Sequence, residues 1–499
     1  MAAPTNAHWL TLPVLLPLIA AFALVLLHGR PLRWRRVASV AATVALLATA
    51  VALVAVADRG GHTVYRLGDW PVPVAIVLVL DRLSALMVLL TAVVALFSVW
   101  HAVHGTDAEG SHFHALFQLQ LAGLNGAFLT GDLFNLFVFF EILLIASYCL
   151  LVYGGTTPRV RSGVHYVVLN LVGSSLFLIA IGALYGLTGT LNLAHLAERV
   201  ASLGESDAGL VRGAALLLLV VFALKAALAP LYFWLPGAYA AAAPPVAALF
   251  ALMTKVGVYA IVRVSTLVFG PAAGVAAGVA DGWLLPAALI TIALGTLGAL
   301  GADELRRMQG YLLIVSVGTM LAAAGASTTG GMAAALYYLA HSTIATAAMF
   351  LVTGLVAERR DRPALVGTLF LLGAIALAGM PPLSGFIGKA LVLQSAPAGV
   401  AGAWLWGVVL SSSALAVLAL SRVGVTIFWT TAPPPSISVS AGDEAAGAAP
   451  ILPAAGLLAA VVLLTAFSGP VSAYAARAAE QLLRPALYVR AVLDAPGGR

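Results

Sequence analysis

Lysine is nearly absent from this chain of 499 residues. Its three lysines, Lys225, Lys255 and Lys389, all lie inside apolar stretches long enough to cross a bilayer, whereas most arginines lie between such stretches. An arginine keeps its proton near neutral pH, but a desolvated lysine can release one. This placement points to proton chemistry. The alternative for each lysine is a side chain that snorkels or forms a structural ion pair.

Charge and cysteine are also scarce, and this excludes several classes of protein. Charged residues make up 9% and hydrophobic residues 62% of the chain, with a mean hydropathy of +1.05. A soluble globular protein, with about 25% charged residues, is therefore excluded. Cys149 is the single cysteine. It allows no disulfide, CxxC pair or iron–sulfur ligand set, so we expect no cofactor and no metal site in this chain.

The net charge of +6 comes from arginines in short loops, so it describes orientation in a membrane and does not indicate nucleic-acid binding. Apolar windows of about 20 residues predict an all-α polytopic membrane protein with about fourteen transmembrane helices. The windows lie near residues 9–27, 38–57, 83–103, 113–130, 132–153, 164–187, 211–235, 244–268, 282–302, 308–327, 331–357, 364–398, 401–431 and 451–470.

An even number of crossings places both chain ends on one side of the membrane. The arginine-bearing loops then share the other side, which the positive-inside rule assigns to the cytoplasm. These loops lie at residues 30–36, 159–161, 306–307 and 359–362. We therefore expect a multi-pass protein of the inner (plasma) membrane with its N- and C-termini outside.

Two apolar spans are interrupted by prolines in corresponding places. Pro230 and Pro236 follow Lys225 in its span, and Pro381 and Pro382 precede the lysine of the second span. Proline removes an amide donor and clashes with the preceding turn, so both helices should be discontinuous. Paired breaks favour a transporter built from repeats with a site at mid-membrane, and two independent kinks are the alternative.

The breaks also indicate the domain organisation. Residues 1–112 would hold helices 1–3 with an external hairpin. Residues 113–268 and 282–431 would form two inverted five-helix repeats, and residues 432–499 a polar loop, the last helix and an amphipathic tail.

Glu141 is a carboxylate about nine residues into its span, which places it some 13 Å deep, close to the bilayer middle. Together with the three lysines it makes four intramembrane charges, which cost on the order of 10–14 kcal/mol to insert. Something other than stability must retain them. Tyr148 lies on nearly the same helix face and either orients the carboxylate or only packs, whereas Asp132 suits a structural role at the helix N-terminus.

Three runs of sequence carry a family resemblance. They are LTGDLFNLFVFFEILLIASYCLLVYGG (129–155), LKAALAPLYFWLPGAYAAAAPPVAALFALMTKVGVYAIVR (224–263) and MPPLSGFIGKALV (380–392). They resemble the proton-translocating antiporter family, which includes the D subunits of Mrp-type multisubunit cation/proton antiporters and the antiporter-like subunits of respiratory complex I. The run YRLGDWPVPVAIVLVLDRLSALM (65–87) is most similar to the Mrp D subunits. The resemblance covers nearly the whole chain.

The resemblance implies a role for each intramembrane charge. Glu141 and Lys225 match the family's pair at the start of the proton path. Lys255 matches the next relay group on the following helix, and Lys389 matches the terminal group of the second half.

His341 matches a histidine of the family's eleventh helix, but the pattern then departs from the family. The family commonly has a lysine about five residues later, where this chain has Ala345 and Thr346. The middle of the relay therefore stays open. His341 either carries a proton there or is a satisfied polar residue in a helix contact.

The resemblance implies secondary transport rather than enzymatic chemistry. We expect a subunit that moves protons through a buried Glu/Lys/His relay, coupled to export of Na⁺ or K⁺, in a hetero-oligomer with other antiporter subunits. One alternative is a proton-pumping membrane subunit of an NADH:quinone oxidoreductase or membrane hydrogenase. A second alternative is a non-conducting assembly scaffold, against which the four intramembrane charges argue.

Overall fold

The structure is a computed structural model that describes residues 7–72, 74–358, 363–428 and 451–494. The predicted polar loop at 432–450 and the arginine-bearing loop at 359–362 lie outside the described residues.

Twenty α-helices form most of the described chain. Their bounds are α1 (Leu12–Leu26), α2 (Leu32–Asp58), α3 (Arg82–Ala102), α4 (Phe113–Leu129), α5 (Leu133–Leu151), α6 (Thr157–Thr188), α7 (Leu193–Ala201), α8 (Ala208–Ala226), α9 (Trp234–Ala241), α10 (Pro244–Phe250), α11 (Met253–Leu267), α12 (Asp281–Gly301), α13 (Leu305–Ala324), α14 (Thr329–Glu358), α15 (Pro363–Ala378), α16 (Ser384–Gln394), α17 (Val400–Phe428), α18 (Ile451–Ala466), α19 (Ser468–Leu482) and α20 (Pro485–Leu493). Short 3₁₀ helices cover Ala7–Thr11, Leu27–Gly29, Leu67–Asp69, Thr106–Ala108, Glu205–Asp207 and Gly274–Ala276.

Between α2 and α3, β1 (Thr63–Arg66) and β2 (Val77–Leu80) pair antiparallel. This is the hairpin predicted for that stretch. It begins five residues after α2 ends and leads directly into α3.

Within the described residues, eleven helical segments are long and apolar enough to cross a membrane. The number rises to twelve if α18 and α19, bent by 79° against each other, form one span. An all-α polytopic fold is therefore confirmed, but the exact count of fourteen is not. The difference arises at three windows: α4 has only 17 residues, the second proline break divides 364–398 into α15 and α16, and α18 is bent against α19.

The two ends of the helix bundle can be told apart by their contacts. At the hairpin face, His8 Nδ1 lies 3.3 Å from the Tyr65 hydroxyl, and the ring of His62 packs edge-on against Tyr488. The beginning and the end of the described chain therefore lie at the same face. Which face is outside stays a prediction.

The opposite end, which we call the arginine-rich face, is held by a buried carboxylate. Arg36 donates to both oxygens of Asp107 at 2.6 and 2.7 Å, and His114 Nε2 lies 3.0 Å from the same carboxylate. Burial by itself raises the pKa of Asp107, but the bonds from His114 and Arg36 outweigh it, so the pKa lies below the ordinary value. This cluster fixes the start of α2 against the loop between α3 and α4.

Aspartate side chains cap the N-termini of α5 and α3. Asp132 Oδ1 accepts the backbone N–H of Asn135 at 2.8 Å at the start of α5, which supports a structural role for that aspartate. Asp81 caps α3 through Ser84 and also pairs with Arg263 of α11 at 2.5 Å. The Asp81–Arg263 pair thereby ties the start of α3 to α11 at the hairpin face.

The first predicted break is confirmed: α8 ends one residue after Lys225, and helical structure resumes at Trp234. The exposed backbone groups find partners. Trp234 Nε1 donates to the Leu224 carbonyl at 3.0 Å, and the Ala229 N–H donates to the Thr291 hydroxyl at 2.9 Å. A break inside a membrane is tolerated only when such groups are satisfied by the protein.

The second predicted break is also confirmed, since α15 ends at Ala378 and α16 begins at Ser384. Pro381 and Pro382 lie in the connection. Gly379 has φ +76°, a left-handed conformation that favours glycine.

The sequence predicts one transmembrane helix over 244–268, and the structure confirms the span but not a single unbroken helix. The span consists of two helices, α10 and α11, that meet at a turn of Ala251 and Leu252 just before Lys255. The pair still forms one continuous span, fully buried inside the bundle. The sequence has no proline or glycine at this turn, so propensity gives no signal for it.

The amphipathic tail predicted over 476–492 forms α19 and α20 and packs on its own chain. α19 lies against α3 and α14. Arg477 donates to Asp58 at 3.0 Å, and Tyr488 of α20 is buried. The helix bundle of this chain therefore covers the part of the tail that makes these contacts.

Candidate functional site

The carboxylate of Glu141 and the ammonium of Lys225 are joined through one serine. Ser174 of α6 donates its hydroxyl to Glu141 Oε1, and Lys225 Nζ donates to the same Ser174 oxygen at 3.2 Å. Among the described residues no direct ion pair within 4 Å links Glu141 to Lys225. The two predicted partners are thus brought together, with a hydroxyl between them.

Lys225 is almost completely buried, at 4% exposure, and is held by α6. Its Nζ donates to the Asn170 carbonyl at 3.2 Å and lies 6.0 Å from the centre of the Phe140 ring. It stands in the last turn of α8, where unpaired carbonyls favour a cation. Glu141 is only partly buried on α5.

Lys255 has the least polar surroundings of the three lysines. It is fully buried near the start of α11, and within the described chain its Nζ makes one hydrogen bond, to the Ser316 hydroxyl of α13 at 3.5 Å. Helix α11 packs against α8 on one side and α13 on the other. Lys255 is therefore placed between the half of the bundle that holds Lys225 and the half that holds His341.

His341 lies against the second helix break. Its Nδ1 is 2.8 Å from the hydroxyl of Ser384, the first residue of α16, and the ring also contacts the Ala376 carbonyl of α15. Both Lys255 and Lys389 lie within electrostatic range of this ring. His341 is therefore well bonded and within electrostatic range of Lys255 and Lys389, and its role as a proton carrier stays a prediction.

Lys389 reaches back across the break from α16. Its Nζ donates to the carbonyl of Ala378, the last residue of α15, and to the Ser413 hydroxyl of α17, both at 2.8 Å. Lys225 binds the carbonyl of Asn170, inside α6, whereas Lys389 binds a carbonyl at a helix break. The contact of Lys389 is of the kind expected where half-helices build an intramembrane ion site.

Tyr148 contributes by packing. Its ring meets Tyr166 edge-on at 5.3 Å, and its buried hydroxyl has no hydrogen-bond partner in the described part of the chain. Thr346, at the position where the family commonly has a lysine, is also buried and its hydroxyl is likewise without a partner among the described residues.

The hydroxyl and amide partners of the charged groups were missed by the sequence reasoning. They are Asn170, Ser174, Ser316, Ser384 and Ser413. One signal could have found the first two, because Asn170 and Ser174 are four residues apart in an apolar run and so share a helix face. Among the described residues no group of three His, Cys, Asp or Glu side chains is placed to hold a metal ion.

The chain is similar to known antiporter subunits over nearly its whole length. The family described as NADH:quinone oxidoreductase/Mrp antiporter, TM, matches residues 130–418. The chain is 41% identical to a probable K⁺/H⁺ antiporter D subunit of Rhizobium meliloti (strain 1021), with 98% of each chain covered. It is 36% identical to a Na⁺/H⁺ antiporter D subunit of Bacillus subtilis (strain 168), with 97% of this chain and 99% of the relative covered.

Solved structures show the same fold. A chain of the Mrp complex from Dietzia sp. DQ12-45-1b superposes with a TM-score of 0.86 at 30% identity, covering 98% of this chain and 100% of that one. A chain of respiratory complex I from Thermus thermophilus superposes with a TM-score of 0.76 at 26% identity, covering 95% and 99%. This chain therefore belongs to the NADH:quinone oxidoreductase/Mrp antiporter family, as a homologue of antiporter D subunits and a multi-pass membrane transporter subunit.

Proposed function

We propose that the chain conducts protons through Glu141, Lys225, Lys255, His341 and Lys389, and that this movement is coupled to export of Na⁺ or K⁺. The observation that carries the proposal is the Ser174 hydroxyl shared by Glu141 and Lys225. A group that accepts from a cation and donates to a carboxylate is a short proton wire.

The bridge also couples the charges of its two ends. Two unit charges about 5 Å apart interact by about 3 kcal/mol at an effective dielectric constant near 20. Moving a proton onto Glu141 or off Lys225 therefore changes the proton affinity of the other group by about two units. After each transfer the Ser174 hydroxyl rotates and the wire can be used again.

Lys255, His341 and Lys389 continue the path through the second half of the bundle. The hydroxyls of Ser316, Ser384 and Ser413, each bonded to one of these groups, would hold the hydrogen bonds along which protons move. Partners are the other subunits of a hetero-oligomeric antiporter in the inner (plasma) membrane. The arginine-rich face is assigned to the cytoplasm, so both chain ends would lie outside.

A redox-driven proton pump is the second candidate, because the fold also matches a chain of respiratory complex I. The two differ in what drives proton movement. An antiporter subunit responds to a Na⁺ or K⁺ gradient, whereas a pump subunit responds to electron donors such as NADH.

The test is the pH change inside everted membrane vesicles that contain the complete multisubunit complex. Added Na⁺ or K⁺ should drive proton movement without NADH, and Glu141→Ala should nearly abolish it while the complex stays assembled. Glu304→Ala is the matched control, because Glu304 is an exposed carboxylate at the start of α13. Parental antiport in an assembled Glu141→Ala complex would refute the relay, and strict NADH dependence would favour the pump.

A further inference from the structure

A buried histidine outside the proposed relay has both ring nitrogens without a partner. His101 lies in the last turn of α3 and is 3% exposed, and neither Nδ1 nor Nε2 makes a hydrogen bond within the described residues. The hydroxyl of Ser98, one turn earlier, is likewise buried and without a partner there. Buried polar atoms are nearly always bonded to protein or to water, so this end of α3 is a place that water must reach.

His101 lies beside the contact between α10 and α14, two helices that connect to residues of the proposed relay. A Cβ placed on Gly354 of α14 would lie 2.8 Å from Pro244 Cγ of α10 and 3.8 Å from His101 Nε2. The imidazole therefore lies beside the contact of α10 with α14, at a position where α14 has a glycine and no side chain. α10 opens the span that carries Lys255, and α14 carries His341.

His101 stands at the arginine-rich face, and Lys255 lies in the middle of the bundle. The end of α3 adjoins the Asp107 loop, which Arg36 and His114 hold at that face. Lys255 is eleven positions after Pro244 in the α10–α11 span, which corresponds to about 16 Å at the helical rise.

Two more hydroxyls without partners lie on the helices between these points. Thr254, next to Lys255 in α11, and Thr346, eight residues before Gly354 in α14, are both buried and unbonded through their side chains within the described chain. α10 packs against α3, α11 and α14, the three helices that carry these groups. Such groups, each able to bond water, can support a hydrated line from the arginine-rich face to Lys255.

We propose that His101 takes up protons at the arginine-rich face and delivers them, along water held by Thr346 and Thr254, to Lys255. The imidazole binds a proton at one ring nitrogen and releases one from the other, so charge and atoms balance and no electron moves. The proposal rests on the proposed function of Lys255 as a proton carrier. It gives this chain a titratable group about two turns along α14 from Thr346, the position where the family's lysine is missing.

The test replaces His101 by glutamine, which keeps hydrogen-bonding capacity but cannot carry a proton near neutral pH. In the assembled complex, His101→Gln should slow cation-driven proton movement by about tenfold or more. It should also enlarge the ratio of rates in H₂O and D₂O, because proton uptake becomes limiting, an effect that a purely structural role would not produce. His104→Gln is the matched control, since His104 is three residues on, exposed and bonded to the Trp100 carbonyl. It should transport at the parental rate.

A parental rate in the assembled His101→Gln complex overturns the proposal. If that variant does not assemble, Thr346→Val removes the second hydroxyl without changing the volume much, and a parental rate there overturns the proposal as well. Lys255→Ala separates this question from the proposed function. Loss of transport in Lys255→Ala with full transport in His101→Gln refutes only the uptake route, whereas full transport in Lys255→Ala refutes the relay itself.

Discussion

At the residue scale, the shared hydroxyl of Ser174 is the contact on which the first half of the relay depends. Ser174→Ala should lower antiport about tenfold or more, because it removes the only bonded link between Glu141 and Lys225 among the described residues. Ser175→Ala is the control, because the exposed Ser175 bonds to the Leu171 carbonyl of its own helix. The rate of dye quenching in vesicles measures both variants, and equal rates would show that the bridge is dispensable.

His341 gives a second residue-scale prediction. An imidazole can bind and release a proton, whereas a hydroxyl can only pass hydrogen bonds along. His341→Ala should lower transport strongly, and adding Thr346→Lys should restore part of it by supplying the family's relay group.

The control for His341 is Ser342→Ala, since the buried Ser342 donates to the Leu339 carbonyl of its own helix. Parental transport in an assembled His341→Ala complex would mean that water alone joins the two halves, or that Lys389 serves a separate pathway.

At the scale of helices, the second break depends on Gly379. This residue has φ +76°, and a Cβ on it would lie 2.6 Å from Lys389 Cδ. Gly379→Ala should cost about 1–3 kcal/mol of stability from backbone strain and displace the lysine stem, so both the melting temperature and antiport should fall.

Gly367→Ala is the matched control for Gly379, because Gly367 lies inside α15, where the nearest described atom to the added methyl is on the Phe428 ring, at 3.6 Å, an ordinary contact. Alanine is the better helix former, so the melting temperature should hold or rise. If Gly379→Ala behaves like Gly367→Ala, the close approach of Lys389 to the break is not required.

The helical elements also show what could be predicted and what could not. The two breaks follow from prolines and the buried lysines from their place in apolar runs, so a single sequence predicts them. The turn before Lys255 and the docking of α19 and α20 depend on tertiary packing. An amphipathic face looks the same whether a membrane, a partner or its own bundle covers it. The bridging serines were missed because an apolar run does not reveal which neighbour each face meets.

At the scale of the whole molecule, the proposed relay uses residues of α5, α6, α8, α11 and α13 to α17. Among the described residues, no group of three acidic, His or Cys side chains is placed to hold a metal ion. Because the homologues are named as subunits of antiporters, we predict that the purified single chain in liposomes shows little or no Na⁺- or K⁺-dependent proton flux, whereas the complete complex shows it. Robust antiport by the chain alone would place the whole exchange within this one chain.

The central claim is that Lys225 works by releasing its proton, and Lys225→Arg tests it most directly. Arginine preserves the charge but keeps its proton, so the assembled Lys225→Arg complex should fail to couple a cation gradient to proton movement, as should Lys225→Ala. The measurement is cation-driven pH change in vesicles with equal amounts of complex. Transport restored by arginine but lost with alanine would show that Lys225 is only a fixed positive charge, which would contradict the account.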